Sequence, residues 1–183
     1  MAVDSAHWKQ FEEAKTLHNK GVDGDKKAVI QANELLVKLR EAEPNNALIE
    51  AYYGSTLVLL GRDAVKIMEK ADRAQEGLDV LNEAITLDSN HKEIRLLRGN
   101  ICLRLPESFF QCSETAIEDF TFLLNRNKEN PGYLTPNQVP DILRNLSSAY
   151  QNAGKPDEAK AVLQHFAPLV RKKKDRKEGE ETH

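Results

Sequence analysis

Leu143-Arg144-Asn145-Leu146-Ser147-Ser148-Ala149-Tyr150 leads to a turn at Gly154-Lys155-Pro156, and Ala159, Leu163 and Phe166 follow. Leu143, Leu146 and Tyr150 recur at three- and four-residue steps, which is the spacing of one helix face. Ser147 and Ala159 are small where their neighbours are large. Two helices can cross closely only where the contact residues are small, and large side chains then fill the seams beside the crossing. The turn leads into a helix whose first turn carries Asp157 and Glu158, which suit the positive end of its dipole. The stretch therefore predicts a helix, a tight turn and a second helix folded back on the first.

The same frame recurs upstream. Gly54 and Leu57 precede Gly61, and Gly77, Leu81 and Ala84 follow, ending at Leu87-Asp88-Ser89-Asn90. Gly99 and Cys102 precede Ala116, Phe120 and Leu123. The loosest copy is Trp8, Phe11, Ala14, Leu17 and Gly21, then Ala32, Leu36, Leu39 and Pro44. Helical spacing also runs through Ile67, Ala71, Ala74, Leu78 and Leu81, and no strand-like alternation is found. Punctuation divides the chain into about eight helices. The breaks fall at Gly21 and Gly24, Pro44-Asn45-Asn46, Gly61-Arg62-Asp63, Asp88-Ser89-Asn90, Pro106, Asn130-Pro131-Gly132 and Gly154. Asp63 is expected to cap the fourth helix. Thr135 and Gln138 form a capping box around Pro136 at the start of the seventh.

These positions resemble the tetratricopeptide repeat family, closely in the last unit, fairly in the second and third, and weakly in the first. The likeness spans roughly residues 6–170. It implies an all-α, tetratricopeptide-like α-solenoid of about four helical hairpins in a right-handed superhelical stack. One departure is the period: family repeats take about 34 residues, but Gly54 to Gly99 spans 45 positions and Gly99 to Ser147 spans 48. Extended helices in the middle units are the expected result. The repeat domain is expected over residues 1–170, and a charged, disordered tail over 171–183. In this family first helices line a concave groove that grips a peptide or helix of another protein. Carried over by position, the groove would use Tyr52, Ser55 and Leu59 from the second unit, and Leu96, Asn100 and Arg104 from the third. Arg144, Asn145, Ser148 and Asn152 would come from the fourth. Asn100 and Asn145 match the two asparagines of the carboxylate clamp some members carry. Leu96 stands where the clamp needs a lysine, so no clamp is expected.

Composition fits this reading. The 183 residues carry a formal net charge of −3, with 40% hydrophobic and 30% charged residues. That suffices for a packed core and gives no overall attraction to polyanions. The two cysteines, Cys102 and Cys112, are expected as buried thiols in a reducing compartment. His7, His18, His91, His165 and His183 are scattered, so no metal site is expected. No phosphate loop or isolated acid–base pair stands out, and neither a cofactor nor enzyme activity is expected. Trp8 and Phe11 are expected to cover the open N-terminal end. Phe109 and Phe110 are expected to tuck beneath the third hairpin. The opening Met1–Lys9 shows no leader pattern and no apolar run approaches about 18 residues, so a cytoplasmic location is expected. The leading function is a protein-interaction module: an adaptor, co-chaperone or assembly factor. The alternative is a factor that meets nucleic acid or an anionic surface through the basic run at Arg171–Lys177.

Overall fold

The computed structural model describes residues 5–165, and every regular element among them is helical. The helices are α1 Ser5–Val22, α2 Lys26–Ala42, α3 Ala47–Asp63, α4 Ile67–Leu87, α5 Lys92–Arg104, α6 Glu107–Phe110, α7 Ser113–Glu129 and α8 Gln138–Asn152. Residues 156–165 form α9. The chain divides into two compact units whose boundary falls between Ile101 and Cys102. The expected tail at 171–183 and Phe166 lie outside the described residues.

In the N-terminal unit, helix starts are capped as short polar side chains allow. Asp25 accepts hydrogen bonds from the backbone N–H groups of Lys27 and Ala28, and Asn46 from those of Leu48 and Ile49. Phe11 and Ala14 of α1 pack with Ala32, Leu36 and Leu39 of α2 and with Ile49 and Tyr52 of α3. Ala51, Leu81, Ala84 and Ile94 join α3, α4 and α5 in a second cluster. Phe11 is buried, whereas Trp8 beside it is 52% exposed and covers little.

The α3–α4 pair is built on glycine. A Cβ on Gly77 would lie 2.5 Å from the Gly54 carbonyl oxygen, and one on Gly54 would lie 2.8 Å from the Gly77 oxygen. Two turns on, a Cβ on Gly61 would meet the Lys70 oxygen at 2.9 Å. This corrects the reading of Gly61-Arg62-Asp63 as a break, because α3 runs through all three residues. Gly61 is there for close approach, and Asp63 does not cap α4. Its carboxylate is taken by Arg62, at 2.8 Å from Nε. Arg62 also donates to the Gly21 carbonyl at 2.9 Å, closing the C-terminal end of α1. The close approach to α4 begins at Lys70, so the first turn of α4 precedes it. Ile67, the first member of the helically spaced apolar row, is 81% exposed for that reason.

The C-terminal unit contains the hairpin that decided the fold. Ile142, Leu143, Leu146 and Ala149 of α8 are buried, as are Ala116, Phe120 and Leu123 of α7. Ser147 Oγ donates to the Ala159 carbonyl at 3.1 Å, so the two small residues do meet. Both bonds of the capping box form, Thr135 N–H to Gln138 Oε1 at 2.9 Å and Gln138 N–H to Thr135 Oγ1 at 3.3 Å. They close a turn ahead of α8, which starts at Gln138 rather than at Pro136.

The extra length of the second unit goes into α4, which has 21 residues. In the third it goes partly into α6, a helix not foreseen. Glu107 of α6 reaches forward and accepts from the Ser113 N–H at 2.9 Å and from its hydroxyl, capping α7 from outside that helix. Cys102 and Cys112 are buried as expected but are not thiols: they form a disulfide across a sequence separation of 10. The sequence showed only that each lies in apolar surroundings. Their Cα atoms come within 5.0 Å because α6 folds the intervening segment back. Phe110 is half-buried, but Phe109 is 69% exposed, correcting the expectation that both tuck inward.

Candidate protein-binding surface

In the N-terminal unit, Tyr52, Ser55 and Leu59 share one face of α3, and that face looks toward α1. The Tyr52 ring stands edge-on to Phe11, with centroids 5.5 Å apart, and to His18 at 5.0 Å. Its hydroxyl donates to Glu93 of α5. Lys15 lies 3.1 Å from the same carboxylate and above the Phe11 and Tyr52 rings. Ser55 Oγ lies 2.7 Å from His18 Nε2. A Cβ on Gly21 would touch Leu59 Cδ1 at 3.6 Å, so Leu59 also faces the first helix. The three residues expected in a partner groove thus have internal neighbours, and Tyr52 and Ser55 are buried. Leu96 and Asn100 of α5 are half-buried.

The electrostatics of this cluster are those of an internal brace. Burial pushes the His18 pKa below its ordinary 6.5, against smaller upward pulls from Asn19 and Glu93. Its Nδ1 lies 3.4 Å from Asn19 Oδ1, which can only accept, so Nδ1 carries the proton and the Ser55 hydroxyl donates to Nε2. Burial and then the Glu93 carboxylate drive Tyr52 far above the usual phenol range. Burial alone would raise Glu93, but donors from Tyr52 and Lys15 hold it below the ordinary carboxylate value. A serine against a histidine has the outline of a nucleophile and its base. Here His18 is 2% and Ser55 3% exposed, so no substrate reaches them. Nothing in the sequence marked His18, a lone histidine whose partner lies 37 residues away.

In the C-terminal unit the predicted residues behave differently. Arg144, Ser148 and Asn152 lie at four-residue spacing along α8 and are all exposed, opposite the buried row of Leu143, Leu146 and Ala149. Asn145 beside them is half-buried. Arg144 pairs with Asp141 one turn earlier, and Asn152 Nδ2 lies 3.4 Å from the Leu103 carbonyl. Arg104, near Leu103, is exposed. Lys155 reaches Glu114 at 2.6 Å, and that carboxylate raises its pKa. The stripe offers a cation, a hydroxyl and an amide on a rigid helix, all able to bond a polypeptide backbone or carboxylate.

Among the described residues no group of acidic, histidine or cysteine side chains is arranged to hold a metal ion, and no helix is long and apolar enough to cross a membrane. No family model matches the sequence, and no curated protein does. Among solved structures, MamA MSR-1 C2 superposes with a TM-score of 0.53. The match is 19% identical and covers 87% of this chain and 78% of that one. At that identity the likeness shows the fold, which is all-α, built from tetratricopeptide-like helical hairpins.

Proposed function

We propose that the chain is a non-catalytic protein-interaction module of the tetratricopeptide family, binding a peptide or helix of a partner on exposed faces of its first helices. The observation that carries this reading is the α8 stripe. Arg144, Ser148 and Asn152 stand exposed on the first helix of the hairpin whose small-residue crossing is best formed. Asn145 and Arg104 complete the proposed surface of the C-terminal unit, and Leu59, Leu96 and Asn100 are proposed contacts on the N-terminal unit. Tyr52 and Ser55 brace α3 from within. The helical-repeat fold supports an interaction role by analogy, since hairpins that stack their apolar faces leave long polar surfaces for partners.

Adaptor, co-chaperone and assembly factor are variants of this proposal. They differ in the partner, which affinity capture from the native cell would supply. Wild type is compared with a variant carrying Asn100→Ala and Arg144→Ala, and with Ser148→Trp. Specific partners should be retained by wild type and lost by both. Equal recovery of the same proteins by all three refutes the surface. Cytoplasmic residence stays part of the proposal, and the Cys102–Cys112 bond weighs against it, because such bonds persist in oxidising compartments. Trapping thiols at lysis and counting them decides the point. The reading through the basic run at 171–177 rests on residues outside the described ones, and no observation favours it.

A further inference from the structure

The C-terminal end of α8 leans on two points of the chain. Asn152 Nδ2 lies 3.4 Å from the Leu103 carbonyl oxygen, and Lys155 Nζ lies 2.6 Å from Glu114 Oε1. Leu103 follows Cys102 directly, and Glu114 stands just past Cys112 and Ser113. The Cys102–Cys112 bond therefore ties together the two supports of the α8–α9 turn. All of these residues belong to the C-terminal unit.

The segment between the cysteines has little else to hold it. α6 has four residues and buries none of them. One turn of helix does not persist alone, because its nucleation is unfavourable and only packing or cross-links offset that. Gln111 after it is left-handed, at φ 50° and ψ 44°, a conformation that costs a residue bearing a side chain. Two fasteners keep the segment in place, the disulfide and the Glu107 carboxylate on Ser113. The core of the unit lies elsewhere, in Phe120 and Leu123 of α7 and Leu143 and Leu146 of α8. Cutting the bond removes a support of the segment and leaves that core packed. A segment with so little buried surface is the kind that opens locally.

We propose that Cys102–Cys112 is a redox-sensitive latch: a dithiol opens it, α6 comes undone, and the α8–α9 turn loses the fixed spacing of its supports. One thiolate of the dithiol attacks the sulfur of Cys112, the less buried cysteine at 6% exposed against 1%. Cys102 leaves as a thiolate and takes up a proton. The dithiol's second sulfur then attacks its first, which breaks the mixed disulfide. Cys112 is released as a thiol, and the dithiol closes to its own disulfide. Two electrons and two protons pass to the protein, and a small disulfide oxidant reverses the exchange by the same steps. The latch rests on contacts within the unit. Only its consequence for a partner, weaker binding along Ser148 and Asn152, rests on the α8 surface proposed above.

The test is amide NMR relaxation of the full chain when oxidised, after dithiothreitol, and after reoxidation. Thiol counting in native buffer should find none before dithiothreitol and both cysteines after it. On reduction, order parameters of residues 107–111 and 152–155 should fall from the rigid value of about 0.85 to below about 0.6. Leu123 and Leu146 should keep theirs, and reoxidation should restore the starting values. A Cys102→Ser, Cys112→Ser variant should match the reduced state without reductant, which separates the latch from other effects of dithiothreitol. A bond that dithiothreitol leaves intact in the folded chain overturns the proposal. So do unchanged order parameters at 152–155. Loss of the whole C-terminal unit's spectrum on reduction overturns it too, since the bond would then be a structural staple. Partner capture is a separate measurement, so refuting the α8 surface changes none of these outcomes.

Discussion

Gly77→Ala places a methyl group where the backbone of α3 already stands. Two effects of known sign compete. In a helix interior alanine is favoured over glycine by about 0.8–1.0 kcal/mol, so the local term is stabilising. Against it, the new Cβ would sit 2.5 Å from the Gly54 carbonyl oxygen and 2.6 Å from Val58 Cγ2. Carbon normally meets such atoms at about 3.5 Å, so α3 and α4 must separate by most of an ångström. A carbonyl oxygen within a helix cannot rotate aside as a side-chain end can. Separation would also loosen Leu81 and Ala84, both fully buried at this crossing. Overpacking of this kind costs about 1–3 kcal/mol, and it outweighs the propensity gain. A net loss of about 1–2 kcal/mol is expected, or about 1 M in the urea midpoint for a unit of this size. Urea unfolding followed by far-ultraviolet circular dichroism measures it. Gly54→Ala should act in the same direction, and the double variant should lose less than the two single losses combined, since the first methyl already opens the gap. A Gly77→Ala midpoint at or above wild type would refute the close crossing itself.

Other outcomes follow from the same structure. His18 has a folded pKa below its unfolded value of 6.5, so the unfolded chain binds the extra proton first as acid is added. The stability from neutral His18 is present above that value and is lost below it, by up to about 1.4 kcal/mol per pH unit. A His18→Gln variant should show a flatter fall between pH 7 and 5.5, roughly the window around the ordinary histidine value; parallel curves would contradict it. Ser55→Ala leaves His18 Nε2 buried without its donor and should cost about 1–3 kcal/mol by urea unfolding. Asp25→Ala removes the acceptor of two N–H groups at the start of α2 and should cost about 1 kcal/mol by the same assay. Reducing the Cys102–Cys112 bond reopens a short loop and should destabilise the C-terminal unit by about 2–3 kcal/mol. Mass spectrometry after alkylation without reductant should find no modified cysteine.

How much of this was legible in the sequence depended on the distance over which each signal acts. Helix type and the small-residue crossing of Ser147 with Ala159 were readable because periodicity and size are local and repeated. The Thr135–Gln138 box was readable because its two members lie within one turn. Gly61 was misread because a glycine at a turn and a glycine at a helix crossing look alike until the opposing backbone is seen. Tyr52 and Ser55 were placed on a partner surface by their register in the repeat. That register could not show that α1 brings His18 and Lys15 against that face. The cysteines failed for a related reason. Their pairing depends on α6, a four-residue helix too short to leave a periodic trace.

The segment from Cys102 to Ser113 is fastened at its base twice, by a covalent bond and by the Glu107 carboxylate on α7. Its tip carries Phe109, turned outward to water. Such a segment can carry a different outward side chain at its tip while α6 holds the anchors together. A fluorophore attached through a side chain at position 109 would project from a fixed pedestal, giving a reporter handle on the C-terminal unit that leaves α6 and the packed interior alone.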